Sequence, residues 1–167
     1  MTQHAEFRTR PQARIRMASE TDAPRMIPLI NAAYAVETFL DGTRTDEIRL
    51  ATMMKKGTIL LAEDLSGQLL GCVYTEVRGM RGYLGQLAVD PARQGGGIGR
   101  LLIEAAEDHL RELGCAALDI TVLSLRTELP PIYRRFGFVE TGTEEFVHPV
   151  PLKPGFACHC IVMSKQL

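Results

Sequence analysis

The sequence predicts a mixed α/β fold: a central, mostly antiparallel sheet that carries one parallel pair, with helices packed against it. Three observations predict this. Residues 58–89 read as three successive strands joined by short turns, a pattern that pairs antiparallel. Residues 84–122 read as strand, glycine-rich turn, helix and strand, and a crossover of that length makes its two strands parallel. The 167 residues, 46% of them hydrophobic, suit one domain with a sizeable core.

Each element has a local reason. Residues 1–12 are polar, lack the apolar segment of a signal peptide and read as a flexible tail, which leaves residues 13–167 as the single domain. Residues 13–18 alternate as a first strand. Residues 19–22 can cap a helix with Pro24 in its first turn, and that helix carries Met26, Ile27, Leu29, Ile30, Ala33 and Tyr34 before fading near Glu37. A loop follows at 39–42. Thr45 or Asp46 caps a second helix that runs to about Lys55 and ends at Gly57. Strands are expected at 58–63 and 69–77, then turns at 79–82 lead into the central strand. Pro91 stops that strand, because proline cannot donate to a sheet ladder. The next helix sets Ile98, Leu101, Leu102, Ala105, Ala106, Leu110 and Leu113 on one face and Glu104, Glu107, Asp108, Arg111 and Glu112 on the other, with Gly114 as its stop. A strand at 116–122 comes next. Pro130 and Pro131 open a short helix holding Ile132, Tyr133 and Phe136, closed by Gly137. A strand begins at 138–142, and the three acids of 140–145 read as a hairpin cap. The last strand, 159–164, follows a connection containing Pro149, Pro151 and Pro154.

The glycine-rich turn carries the strongest chemical signal. Gln94, Gly95, Gly96, Gly97, Ile98, Gly99 and Arg100 open the longest helix. The first amides of a helix have no intrahelical partner, and the helix dipole adds positive charge there. Glycines allow close approach of an anion to those amides, and Arg93 and Arg100 add formal charge. A bare strand-to-helix connection is the alternative. The turn lacks the Gly-Lys-Ser/Thr ending of a nucleotide P-loop, and neither register supplies the dinucleotide Gly-x-Gly-x-x-Gly.

What remains is Gln94-x-x-Gly97-x-Gly99, preceded by Leu87-Ala88-Val89-Asp90-Pro91. In these residues the chain resembles the GNAT superfamily of N-acetyltransferases, whose acetyl-CoA pyrophosphate loop reads Gln/Arg-x-x-Gly-x-Gly/Ala. Tyr133-Arg134-Arg135-Phe136-Gly137-Phe138 matches that family's Tyr-x-x-x-Gly-Phe. The element order agrees from about Arg14 to Leu167. The resemblance implies two parallel central strands that splay apart, helices on both faces of the sheet, and acetyl-CoA as acyl donor in the gap. Its pantetheine arm would pair with the backbone around Leu87, Ala88 and Val89. Arg126 and Leu129 stand where many members carry asparagine and alanine, a departure in the segment that faces the CoA arm.

The implied chemistry assigns roles. The Val89 amide would hold the oxyanion and Tyr133 would protonate the departing sulfur, since a phenol with pKa about 10 keeps its proton at neutral pH. A packed helix tyrosine is the alternative for Tyr133. Gln86 stands where the family often has a glutamate and cannot act as a base. Glu76 is the side-chain candidate for base; a water chain is the alternative. Glu37 and Asp41 are candidates to hold a cationic acceptor, with a solvated surface as the alternative for each carboxylate. Cys158-His159-Cys160 alternates across a strand, so its three ligands point to two faces, and no metal is expected. His148 could line a substrate loop.

The expected function is an acetyl-CoA-dependent N-acetyltransferase that acetylates a primary amine, of a small molecule or a protein, by direct attack in a ternary complex. A non-catalytic acyl-CoA sensor or a purely structural interaction domain are the contrasting readings. A net charge of −1 argues against a general nucleic-acid or membrane surface. Four cysteines without framework spacing point to reduced thiols in a cytoplasm, and the expected assembly is a monomer or homodimer.

Overall fold

The structure, a computed structural model, describes residues 11–167; residues 1–10 of the expected tail lie outside the described residues. Seven strands form one sheet: β1 (Arg14–Met17), β2 (Thr58–Glu63), β3 (Leu69–Arg78), β4 (Arg81–Val89), β5 (Ala117–Leu123), β6 (Val139–Glu145) and β7 (His159–Gln166). Their order is β1-β2-β3-β4-β5-β7-β6. β4 and β5 run parallel, and every other neighbouring pair is antiparallel. The helices are α1 (Ala23–Ala33), α2 (Glu47–Lys56), α3 (Ile98–Glu112) and α4 (Leu129–Arg135).

Strand alternation divides the apolar residues between two cores. In β2, Ile59 and Leu61 pack with Met26, Ile30 and Leu50 of α1 and α2. Leu60 and Ala62 point the other way and join Leu102, Ala106 and Leu110 of α3. A strand buried on both faces reads as a continuous apolar run, as 59–62 does. Helices therefore cover both faces, as the resemblance implies.

Both ends of α3 are set locally. At its C-terminus the Gly114 amide donates to the Arg111 carbonyl and the Cys115 amide to the Leu110 carbonyl, which satisfies two orphan acceptors. The expected faces of α3 need two corrections. Leu113 is exposed because it lies past the last helical turn. Glu107 is buried because Lys165 of β7 reaches it at 2.6 Å and also donates to the Phe136 carbonyl at 2.7 Å. That lysine ties α3 to the end of α4.

Two features of the central strands position the site. Gly71 of β3 lies opposite Val89, and a Cβ there would fall 2.7 Å from the Ala88 carbonyl and 3.0 Å from Leu102, so glycine lets the start of α3 sit tight on the sheet. Gln86 adopts φ 48°, and the β3–β4 register slips by one residue between Cys72 and Tyr74. This is a β-bulge, which bends its strand and increases its twist. β4 and β5 pair only from Arg81↔Ala117 to Tyr83↔Asp119. Beyond Tyr83 they separate, β4 staying with β3 and β5 with β7.

Other elements depart from expectation in detail. Residues 140–145 belong to the edge strand β6, not to a hairpin cap; they pair with β7 and leave their acids in solvent. Acids on an edge strand discourage further pairing. α1 stops at Ala33, and turns carry the chain on to Val36.

Arg16 clamps β1 to the start of α1 and to β2. Its guanidinium forks onto Asp22 at 2.6 and 2.9 Å and reaches Glu63 at 2.5 Å, and Arg25 contacts both acids at 2.9 Å. The Arg16 hydrogen bonds hold both carboxyls below the usual range. A depressed carboxyl stabilises the fold above its unfolded pKa of about 4 and loses that contribution as pH falls through its folded value. Stability is therefore expected to fall steadily below about pH 4. Asp22→Asn should cost about 1–2 kcal/mol at neutral pH and flatten the acid limb, the half-exposed arginines keeping the loss small. Denaturant melts of both proteins at neutral and acid pH check this; parallel pH slopes would contradict it.

Candidate active site

The gap between β4 and β5 leaves the β4 backbone from Leu84 to Val89 without a strand partner on that side. Its polar groups are aimed there. The Asp90 amide donates to the Leu70 carbonyl on the β3 side, so the neighbouring Val89 amide points to the opposite edge, into the gap. The Leu87 carbonyl faces the same way and accepts the Tyr34 hydroxyl at 2.9 Å. Leu87 and Val89 line the cavity there, whereas the Ala88 side chain is buried in the α1-side core.

The glycine-rich turn stands at the mouth of this gap. Gly97 takes φ 88° as the N-cap of α3, a conformation that disfavours a side chain. Among the described residues no side chain caps the helix, which leaves its first amides available. Gly95, Gly96 and Gly97 are exposed, whereas the Ile98 side chain is buried beneath the turn. Gly99 is the informative position. A Cβ there would meet nothing nearer than Val89 Cγ2 at 3.8 Å, so protein packing does not require glycine. Glycine in a helix costs about 1 kcal/mol relative to alanine. The cleared volume opens into the cavity, where a phosphate-bearing arm would lie, and the residues present fit such a group. Arg100 lies over the Phe136 ring, 4.9 Å from its centroid. The Gln94 amide nitrogen lies 3.4 Å from the Val89 carbonyl.

Two chambers meet in the gap. The larger, about 250 Å³, runs from Gln94 and Gly99 past Val89 to Arg126 and Phe136. The smaller, about 60 Å³, lies between Gly85, Gln86, Thr121 and Leu123, with Glu37 and Arg44 at its side. Tyr34, Leu87, Leu129 and Tyr133 line both and form the neck between them. Tyr133 stands edge-on to Phe138, 5.7 Å between ring centres. Burial pushes the Tyr133 phenol well above its ordinary value, and pushes Tyr34 up to about 12. Both remain protonated at neutral pH.

The candidate carboxylates are distributed differently from expectation. Glu37 does line the smaller chamber, but both its oxygens are taken: Arg44 donates to one at 3.0 Å and Arg126 to the other at 2.9 Å. Asp41 is exposed and lines neither chamber. Glu76 also lies outside both chambers; it accepts the Tyr74 hydroxyl at 2.6 Å and pairs with Arg78 at 3.0 Å, which lowers its pKa. Burial lowers His148 to about 4, and its ring stacks on Phe146. Cys158 and Cys160 pack in an apolar cluster with Phe39, Leu40 and Val150. Among the described residues no helix is long and apolar enough to cross a membrane.

Tyr34 and Arg44 escaped the sequence reading. Tyr34 looks like one more apolar position on α1, and nothing local marks Arg44. Arg126 was visible as a departure from the family pattern, without its partner.

A fold opened between two parallel strands beside an uncapped, glycine-lined helix start offers a phosphate-bearing arm a seat against a free strand edge. The sequence profile of the acetyltransferase (GNAT) domain matches residues 30–154, and the chain belongs to that family. It is 37% identical over 100 residues to the mycothiol acetyltransferase of Propionibacterium freudenreichii, a match covering 58% of this chain and 31% of that one. The chain thus spans about a third of that relative's length. The crystal structure of a ribosomal-protein-alanine N-acetyltransferase from Brucella melitensis superposes with a TM-score of 0.74 at 25% identity, covering 92% of this chain and 99% of the other. The Salmonella typhimurium acetyltransferase yncA, solved with acetyl-CoA, gives 0.72 at 21% identity and coverage of 93% and 94%, a likeness of fold.

Glu37 balances two largely buried cations, so Glu37→Gln should destabilise the protein by about 2–4 kcal/mol, a loss set by leaving charges unpaired. Asp41→Asn, at an exposed carboxyl, should stay within about 0.5 kcal/mol of wild type. Thermal melts of the two variants side by side test the assignment; equal melting temperatures would refute it.

Proposed function

We propose that this chain transfers an acetyl group from acetyl-CoA to a primary amine. The observation that carries the proposal is the unpaired β4 edge running straight from an uncapped helix start to a neck lined by two protonated tyrosines. The structure of yncA with its acetyl-CoA supports the choice of donor.

The residues divide the work along the gap. The turn amides from Gly95 to Arg100, with Gln94, hold the donor's pyrophosphate. The edge of Leu87 and Val89 holds its amide-bearing arm, as a strand edge holds an added strand. The donor supplies an activated acyl carbonyl, and the Val89 amide is aimed where its oxygen would gain charge. The amine arrives from the smaller chamber and joins the donor in a ternary complex. Glu76 is held by Tyr74 and Arg78 and Glu37 by two arginines, so the amine's proton leaves through water. Tyr133 keeps a proton to give to the departing sulfur. The second chamber favours an enzyme over a sensor, because binding alone needs no space beyond the neck.

Two experiments test this reading. CoA at one hundred times its Kd should stabilise the folded protein by about 2.7 kcal/mol. Gly99→Val, whose Cβ has room within the protein, should keep the melting temperature of the free protein within a few degrees and abolish the CoA-dependent shift. Absence of any CoA shift in wild type would sink the proposal.

Tyr133→Phe keeps the ring against Phe138 and removes the proton donor. Its kcat should fall by ~10²–10⁴ with CoA binding nearly unchanged. Because burial raises the phenol, wild-type kcat should show no downturn near pH 10 from this group. An unchanged kcat in the variant, under conditions where chemistry limits turnover, would leave Tyr133 a packing residue and water the proton source.

A further inference from the structure

We infer that the acceptor is a small amino acid, and that Arg44 binds its carboxylate while its amine enters the neck. The inference rests on the acetyltransferase reading above and adds the class of acceptor.

The sign of charge around Glu37, at the side of the smaller chamber, is the first observation; Arg44 lines that chamber and Arg126 the larger one. Two guanidiniums, Arg44 and Arg126, with side chains only 20% and 14% exposed, face one buried carboxylate, Glu37. The further carboxylate on Arg126, that of Glu128, is 55% exposed and works largely in solvent. The sheltered part of the cluster therefore carries one cation more than it has anions. His148 beside it is held neutral at physiological pH, by burial first and by Arg44 second, and adds no charge. A cation in excess at a sheltered site loses hydration that only an incoming anion can restore. A cationic acceptor without an anionic group would meet repulsion there.

The second observation is the free edge of Arg44. Its Nη1 donates to Glu37, and its Nε and Nη2 have no partner among the described residues. The guanidinium carbon lies over the Tyr34 ring, 4.2 Å from its centroid, which holds the group beside the neck. A planar fork with two free donors matches a carboxylate in bidentate geometry. Glu37 alongside disfavours a dianion such as a phosphate monoester.

The third observation sets the size. Arg44 stacks on the ring whose hydroxyl bonds the Leu87 carbonyl, so the anion site and the neck are one phenol ring apart. That spacing suits an amine and a carboxylate a few bonds apart. Leu123, which lines the chamber, packs in an apolar cluster with Phe39, Leu40 and Val150. The volume of about 60 Å³ suits a small acceptor.

The test uses the full chain, acetyl-CoA and matched acceptors: L-amino acids, their carboxamides and their decarboxylated amines, read by release of CoA thiol. Free amino acids should be used with kcat/KM at least tenfold above both neutralised sets. Arg44→Gln should raise KM for the amino acids by ~10–100-fold and erase the preference, with CoA binding retained; Arg44→Lys, which keeps the charge but not the fork, should fall between. The ratio of acid to amine within one preparation is independent of how much of a variant is folded. Equal use of acids and amines by wild type, or an unchanged ratio in Arg44→Gln, overturns the inference while leaving the acetyltransferase reading intact. CoA binding with no thiol release from any of these acceptors overturns the inference, whereas absence of CoA binding overturns the acetyltransferase reading on which it rests.

Discussion

The structure depends on one kink. Gln86, a residue with a side chain held at positive φ, inserts an extra position into β4 and turns the second half of that strand away from β5. A non-glycine residue in this region of backbone space carries a local cost of about 1 kcal/mol or more. What the kink creates is a strand edge inside the sheet rather than at its rim. Edge backbone groups want partners, and here they face a gap whose walls are set by elements on either side. β3 holds β4 back, β7 holds β5 back, and the tight seat of α3 over Gly71 fixes the uncapped helix start at the mouth.

The neck shows how distant parts of the chain meet on that edge. Tyr34 comes from the end of α1, Leu87 from the bulged strand, and Leu129 and Tyr133 from α4. The Tyr34 hydroxyl on the Leu87 carbonyl joins the first helix to the kinked strand, and the Glu37–Arg126 pair joins the same helix-loop region to the segment after β5. Lys165 anchors the far end of α4 to α3 through Glu107 and the Phe136 carbonyl. The two sides of the gap are thus braced by polar contacts that cross it, in place of the hydrogen bonds that β4 and β5 do not make. The two ion-paired braces, Glu37–Arg126 and Lys165–Glu107, are short, largely buried and charge-assisted, which makes them effective at fixing a spacing even where their net contribution to stability is modest.

The electrostatics of the two ends differ for a physical reason. At the glycine-lined turn the positive potential comes from backbone amides at a helix start, which need no side-chain partner. Beside the smaller chamber it comes from side chains, which can be tuned by their neighbours. Glu37 neutralises part of that potential and fixes the two arginines at the same time. A carboxylate that looks in sequence like a site for a cation is in the fold the counter-ion of two cations.

What the sequence determined by itself is local. The alternation and continuity of residues 58–63, the proline after Val89, the glycine turn, the amphipathic face of α3 and the Gly114 stop all reflect spacing within one segment, and the observed elements follow them closely. The glycine-lined helix start was legible for the same reason: amides and glycines at a helix start act where they stand in the chain. The tertiary structure decided everything that needed a partner from elsewhere. The burial of Glu107 required Lys165, the continuation of the strand from Gly142 to Glu145 required β7, and the exposure of Leu113 required knowing where the helix turned off. The bulge at Gln86 is invisible locally, because a register slip is a relation between two strands. The charge balance around Glu37 depends on Arg44 and Arg126, seven and eighty-nine positions away, meeting on its two oxygens. Coulombic sign at a site is a sum over neighbours in space, and a sequence fixes those neighbours only through the fold.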